Sequence, residues 1–217
     1  MGTSPDVTWQ PSLLEITAEP AIDETFSTLK RVDLDGSSWV DFAPGWVTNS
    51  DQLFEQILVG RDWGQRSRRM YDQKVREPRL TAPWNLRSDE PLEPALVDRM
   101  RLVLSERYEV ELDSAGFNLY RDGADSVAWH GDRIDKSIEK PIVALASLGE
   151  TRRFLLRPKG GGRSKSFNLT RGDLLVTGGL TQRTWEHSVP KVAVAGPRIS
   201  IAFRHGMKLG GGSAEQS

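Results

Sequence analysis

The sequence predicts an α+β, mainly β domain: a double-stranded β-helix of jelly-roll, cupin-like form, supported by helices. Three observations carry that expectation. After Phe117 the chain breaks into short strand-like segments at residues 117–120, 141–148, 153–157, 166–169, 174–177 and 198–204, with Gly or Pro in nearly every gap. Ahead of them lie two amphipathic stretches with helical spacing. The length, 217 residues, suits one domain with a real core rather than two generous ones.

In chain order, residues 1–25 read as an extended arm. They carry Pro5, Pro11, Pro20 and several acids, with Leu13, Leu14 and Ile16 able to pack on the domain. A single domain is expected over residues 26–205. Asp35-Gly36 separates two strand-like runs and signals a hairpin, and Pro44-Gly45 breaks the chain again. Asn49 with Gln52 suggests a capping box for a short helix whose apolar face is Leu53, Phe54, Ile57 and Leu58. A longer helix begins near Pro94, with Leu96, Val97, Met100, Val103 and Leu104 inside and Arg99, Arg101 and Glu106 outside. Residues 206–217, with Gly210-Gly211-Gly212, read as a disordered tail.

Composition narrows the chemistry. There is no cysteine, so a metal would need nitrogen and oxygen ligands, and a reducing cytoplasm is the natural setting. The longest apolar run, residues 142–148, is too short for a membrane-spanning helix, and no basic-then-apolar leader opens the chain. No membrane partner is expected. The near-neutral balance, net −1, leaves a monomer as the default.

His130 and Asp132 stand two apart, and on an extended strand such residues face one side. His187 follows in Trp185-Glu186-His187-Ser188-Val189-Pro190. Two imidazoles and one carboxylate, with open coordination positions, form the facial triad of non-haem Fe(II) oxygenases. A turn histidine beside a solvated aspartate would explain the pair alone; the downstream strand argues otherwise. There, Ile199, Ile201 and Phe203 alternate with Arg198, Ser200, Ala202 and Arg204. Two guanidiniums on an inner face are costly unless an anion neutralises them, and a dicarboxylate would pair with each in a bidentate fork. Asn118 and Tyr120, again two apart, could add neutral hydrogen bonds.

Taken together, Asn118-x-Tyr120, His130-x-Asp132, Gly172-Asp173-Leu174-Leu175, Trp185-x-His187-x-Val189-Pro190 and Arg198-x-Ser200-x-x-x-Arg204 resemble the AlkB family of Fe(II)/2-oxoglutarate dioxygenases. The resemblance runs from about Trp39 to Arg204. It implies that His130, Asp132 and His187 bind Fe(II), that Asn118 and Arg204 hold the oxalyl end of 2-oxoglutarate, and that Tyr120 and Arg198 hold its distal carboxylate. It further implies O2-dependent demethylation of bases such as 1-methyladenine or 3-methylcytosine, releasing succinate, CO2 and formaldehyde. The partner would be alkylated single- or double-stranded DNA, with RNA as an alternative. Ser200 stands where many members carry asparagine, near the cosubstrate. Ile134 stands where some carry an acidic residue that reads the base.

Two basic segments could meet phosphates. Residues 61–79 hold seven basic side chains against three acidic ones; residues 151–171 hold seven and no acid. Arg68, Arg76, Arg79 and Arg153 are candidate nucleic-acid contacts, with Trp63, Met70 and Tyr71 as stacking surfaces for an extruded base. Core packing is the competing reading for Trp63, and a solvated basic face for either segment. The resemblance makes residues 60–85 a nucleotide-recognition lid, with Pro78-Arg79-Leu80-Thr81-Ala82 as its returning strand. Trp129 reads as a packing neighbour, Gly160-Gly161-Gly162 as a loop, and His205 as a surface residue. Two rival readings keep the residues but change the role: an oxygenase acting on a protein or small molecule, and a non-catalytic β-barrel binding module.

Overall fold

The computed structural model describes residues 19–65, 67–70 and 73–206 together with Pro5, Val7 and Trp9, and gives the backbone alone for residues 67–70 and 73–75. Expectations at Leu13, Leu14, Ile16, Tyr71 and residues 207–217 fall outside it.

Strand β1 (Ala21–Ile22) pairs with β4 (Val47–Thr48) at the start of the described chain. Between them, β2 (Lys30–Asp33) and β3 (Ser38–Ala43) form the expected hairpin. Its turn is held by Asp33, whose carboxylate accepts from the Gly36 N–H at 2.8 Å while Gly36 takes φ +79°, a conformation glycine reaches without strain. Helix α1 (Ser50–Gly60) buries Leu53, Phe54 and Ile57 as the periodicity required. Its start departs from the expected capping box: Asn49 is left-handed, makes no side-chain cap, and donates instead to the Glu19 carbonyl.

A separate hairpin of β5 (Ser67–Met70) and β6 (Gln73–Arg76) follows, and β7 (Leu80–Asn85) returns the chain to the body of the fold. Helix α2 (Ala95–Tyr108) buries Val97, Met100, Val103 and Leu104. It also buries Arg101, which the sequence placed outside; its guanidinium is met by Asp98 at 2.7 Å and by the Leu112 carbonyl.

The remaining elements are β8 (Ser114–Tyr120), β9 (Val127–His130), β10 (Val143–Gly149), β11 (Arg152–Pro158), β12 (Lys165–Leu169), β13 (Leu174–Gly179), the short α3 (Thr181–Thr184), β14 (Trp185–Val189) and β15 (Arg198–Arg204). They build two antiparallel sheets. The major sheet has the order β2-β3-β13-β10-β15-β8-β7 and the minor one β12-β11-β14-β9. Strand alternation divides the apolar residues between two cores. Ile199, Ile201 and Phe203 join Phe117, Leu119 and the helices on the outer side of the major sheet. Ala202 joins Tyr120, Leu145, Phe154 and Leu156 between the sheets. The space between the sheets opens where β15, β8, β9 and β14 converge.

Candidate active site

The two histidines come from neighbouring strands of the minor sheet. His130 ends β9, His187 is the centre of β14, and the two are register partners with ring centroids 4.3 Å apart. Asp132 arrives differently from the expectation. It lies beyond the end of β9, in the loop after Gly131, so strand alternation does not aim it. Contacts do: its Oδ1 accepts from Arg204 Nε at 2.8 Å, and its N–H donates to Gln182 Oε1 at 3.4 Å. One ligand atom from each of His130, Asp132 and His187 falls within 4.8 Å of the others.

The donor set fits a divalent metal. His130 Nδ1 lies 2.8 Å from the Ala128 carbonyl, which only accepts, so Nδ1 carries the proton and Nε2 presents its lone pair. Burial pushes His187 down to about 3, so its imidazole is neutral at physiological pH. For Asp132, burial acts upward, but the charge of Arg204 and its hydrogen bond to the carboxylate help to outweigh it, and the carboxyl is held below its usual range. Its second oxygen, Oδ2, is buried with no hydrogen-bond partner. A metal held by the three side chains would satisfy it.

The facing wall is the β8–β15 ladder. Register pairs Arg198 with Tyr120 and Ser200 with Asn118, so all four project to the same side, as the alternation required. Arg204 reaches the site because Gly116 lacks a side chain: a Cβ there would stand 2.9 Å from Arg204 Nη1. The two guanidiniums are not equivalent, contrary to the expectation that both await an anion. Asp132 already neutralises Arg204. Arg198 is 1% exposed, donates through Nε to Ser147 Oγ at 2.9 Å, and leaves Nη1 buried without a partner. Burial lowers it to about 10, so it stays protonated. An unneutralised buried cation beside a metal triad is a site for a carboxylate.

The pocket between these walls is lined by Asn118, Tyr120, His130, His187, Arg198, Ser200 and Arg204, with Val127, Leu145, Phe154 and Val189 as its apolar surface. Phe154 stacks on His187 at 5.2 Å. Arg79 also enters it, donating to the Tyr120 hydroxyl at 3.3 Å, with Glu77 3.7 Å away. Sequence reasoning had grouped Arg79 with phosphate contacts. It missed Ser147, Gln182 and Gly116, although Ser147 is the one hydroxyl in an otherwise apolar run and so carried a signal.

The remaining substrate candidates scatter. Trp63 is partly buried against the main core and donates its indole N–H to the Leu58 carbonyl, which fits the packing reading. Arg68 and Met70 lie on β5, whose side chains are not described. Arg76 and Arg153 are exposed. Ile134 is buried in the core between the sheets and does not line the pocket. The second basic segment is largely committed to the fold. Arg152 is buried, Arg157 pairs with Glu186 and stacks on Trp129, Lys159 caps carbonyls of α3, Lys165 donates to Asp33, and Arg171 joins Asp51 and Glu150. His205 is not a surface residue: it is half-buried and its Nε2 accepts from the Ile142 N–H at 2.9 Å.

The chain is similar to known proteins. The 2OG-Fe(II) oxygenase superfamily matches over residues 60–204. The bovine (Bos taurus) protein named alpha-ketoglutarate-dependent dioxygenase alkB homolog 3 is 32% identical, over 78% of this chain and 66% of its own. The human (Homo sapiens) protein of that name is 31% identical with the same coverage. The Arabidopsis thaliana protein named DNA oxidative demethylase ALKBH2 is 34% identical over 48% of this chain and 42% of its own. The solved structure of OsALKBH1 superposes with a TM-score of 0.48 at 17% identity, covering 67% of this chain and 81% of that one. The chain thus spans 66% of the length of each of these two mammalian relatives.

Proposed function

The chain belongs to the 2OG-Fe(II) oxygenase superfamily, and from that premise we propose that it oxidatively demethylates N-alkylated bases in nucleic acid. The observation that carries the reading is the pairing of a three-ligand metal set with one unneutralised buried guanidinium, Arg198, in a single pocket. The names of the relatives, a dioxygenase and a DNA oxidative demethylase, support the substrate class.

In this reading His130, Asp132 and His187 hold Fe(II). Iron so held would supply, with O2 and 2-oxoglutarate, the hydroxylation of an N-methyl group to a carbinol that loses formaldehyde, with succinate and CO2 as coproducts. The chain's own residues do the placing. Arg198 and Tyr120 take the remote carboxylate of the dicarboxylate, and Arg198 is kept in line by Ser147. Arg204 holds Asp132 in one orientation and, with Asn118, faces the oxalyl end. Val127, Leu145, Phe154 and Val189 exclude water from the reacting centre. A methyl group inside a duplex cannot enter this pocket, so the base arrives single-stranded or extruded. Exposed Arg76 and Arg153 remain available to phosphates, on DNA or RNA, and the protein acts as a monomer.

The test is mass spectrometry of short oligonucleotides carrying 1-methyladenine or 3-methylcytosine, incubated with Fe(II), 2-oxoglutarate and O2. Base mass and succinate are followed together, with His130→Ala as control. Loss of one methylene mass per succinate, absent in the variant, is the expected result. Succinate without base change would move the substrate to another class. Neither product, in protein shown to hold iron, would overturn the reading.

A further inference from the structure

Arg152 stands where a guanidinium is least expected. On β11 it shares the inner face with Phe154 and Leu156, and it is 2% exposed. Its Nη1 donates to the Asp122 carbonyl at 2.9 Å, and its Nη2 to the Asp125 and Pro190 carbonyls at 2.7 Å each. It therefore ties the β8–β9 loop to the end of β14, the two segments that lead into His130 and follow His187.

Those bonds explain its geometry; its charge is met only at a distance, by the carboxylates of Asp125 and Asp122, with neither in hydrogen-bond contact with it. Three carbonyls satisfy donors without neutralising a cation, and a neutral amide side chain could bridge carbonyls at a smaller desolvation cost. The carboxylate of Asp125 is already engaged by Arg121, through its backbone N–H at 2.9 Å and its guanidinium at 2.8 and 2.9 Å. Arg152 Nε is buried without a partner. Meanwhile the guanidinium lies 5.5 Å from the centre of the Tyr120 ring, and that of Arg198 lies 5.3 Å from the same centre. Two buried cations thus converge on one tyrosine at the pocket wall.

We infer that Arg152 is a positioning residue for the remote carboxylate of the cosubstrate: it fixes Tyr120 and the adjoining loop, and its charge joins that of Arg198 in drawing a dicarboxylate. The inference rests on the 2-oxoglutarate reading above. Arg152 does not line the pocket and acts through Tyr120 and through space. A dianion entering beside Arg198 would relieve both guanidiniums.

The experiment is anaerobic calorimetry on Mn(II)-loaded protein, titrated with 2-oxoglutarate and, separately, with 2-oxobutyrate, which keeps the oxalyl end and lacks the remote carboxylate. Wild type, Arg152→Lys and Arg152→Met are compared after each is shown to melt cooperatively and to bind Mn(II); Arg152→Gln replaces the methionine variant if that one does not fold. Loss of the charge weakens 2-oxoglutarate by about tenfold, the scale of one cation a short distance from an anion, and leaves 2-oxobutyrate unchanged. The lysine variant retains most of the 2-oxoglutarate affinity. Equal weakening of both ligands, or equal loss in the lysine and neutral variants, would reduce Arg152 to a backbone clamp and overturn the inference. Unchanged 2-oxoglutarate affinity in the neutral variant would overturn it too. Failure of wild type to bind 2-oxoglutarate would instead strike the proposed function.

Discussion

The two walls of the pocket are built on opposite principles. The minor-sheet wall is nearly self-sufficient: His130 and His187 are register partners, Ala128 fixes the His130 tautomer, and burial keeps His187 neutral. The major-sheet wall carries an unresolved charge, because Asp132 neutralises Arg204 and leaves Arg198 to an outside anion. A metal ion therefore meets ligands already in place, whereas the dicarboxylate is wanted by the fold itself. Loss of a metal ligand should cost function with little effect on apo stability, while loss of Arg198 should separate stability from binding in opposite directions.

Substitution at the metal wall has the largest effect. His187→Ala should abolish turnover and stoichiometric Mn(II) binding, seen by calorimetry, while the apo protein still melts cooperatively. At the other wall, Arg198→Met should weaken 2-oxoglutarate by about 100-fold or more, because a desolvated charge partner is lost. The same variant should melt no lower than wild type in the apo form, since an unpaired buried cation has been removed. A lower apo melting temperature would contradict the asymmetry. Gly116→Ala tests the seam between the walls by crowding Arg204; KM for 2-oxoglutarate should rise by less than about tenfold, a small displacement of a positioned group. The smallest effect lies outside the pocket. Burial holds the His205 imidazole below its usual value, so the folded chain binds that proton less readily than the unfolded chain. The stability it contributes is present above the unfolded value, about 6.5, and is lost as pH falls below it. His205→Gln, which keeps an acceptor for Ile142 N–H, should flatten that part of the fall in melting temperature between about pH 7.5 and 5.5.

The same contrast marks what the sequence could tell. Alternation along residues 198–204 and 118–120 put Arg198, Ser200, Asn118 and Tyr120 on one face, and the register of β15 and β8 does the same, because both strands are regular and a period of two leaves no freedom. Asp132 was grouped with His130 for an incomplete reason: it sits past the strand, aimed by Arg204 and Gln182, partners 72 and 50 residues away in sequence. Charge counts are blunt for a related cause. Residues 151–171 look like a phosphate-binding run, yet Arg152, Arg157, Lys159, Lys165 and Arg171 bond to carbonyls and carboxylates supplied by distant elements. Net charge per segment cannot register such pairing. Arg101 and His205 were misplaced in the same way, each held by a backbone partner that no local pattern announces, the Leu112 carbonyl for Arg101 and the Ile142 N–H for His205.

The most direct test of the pocket as a joint metal and dicarboxylate site is thermal melting of wild type under anaerobic conditions, with chelator, with Mn(II), with 2-oxoglutarate, and with both. Ligands that bind only the folded chain must stabilise it, by about 2.7 kcal/mol at one hundred times Kd. The expected result is a shift with Mn(II), a larger shift when 2-oxoglutarate is added to it, and loss of that second increment in Arg198→Met. Identical melting in all four conditions would contradict it.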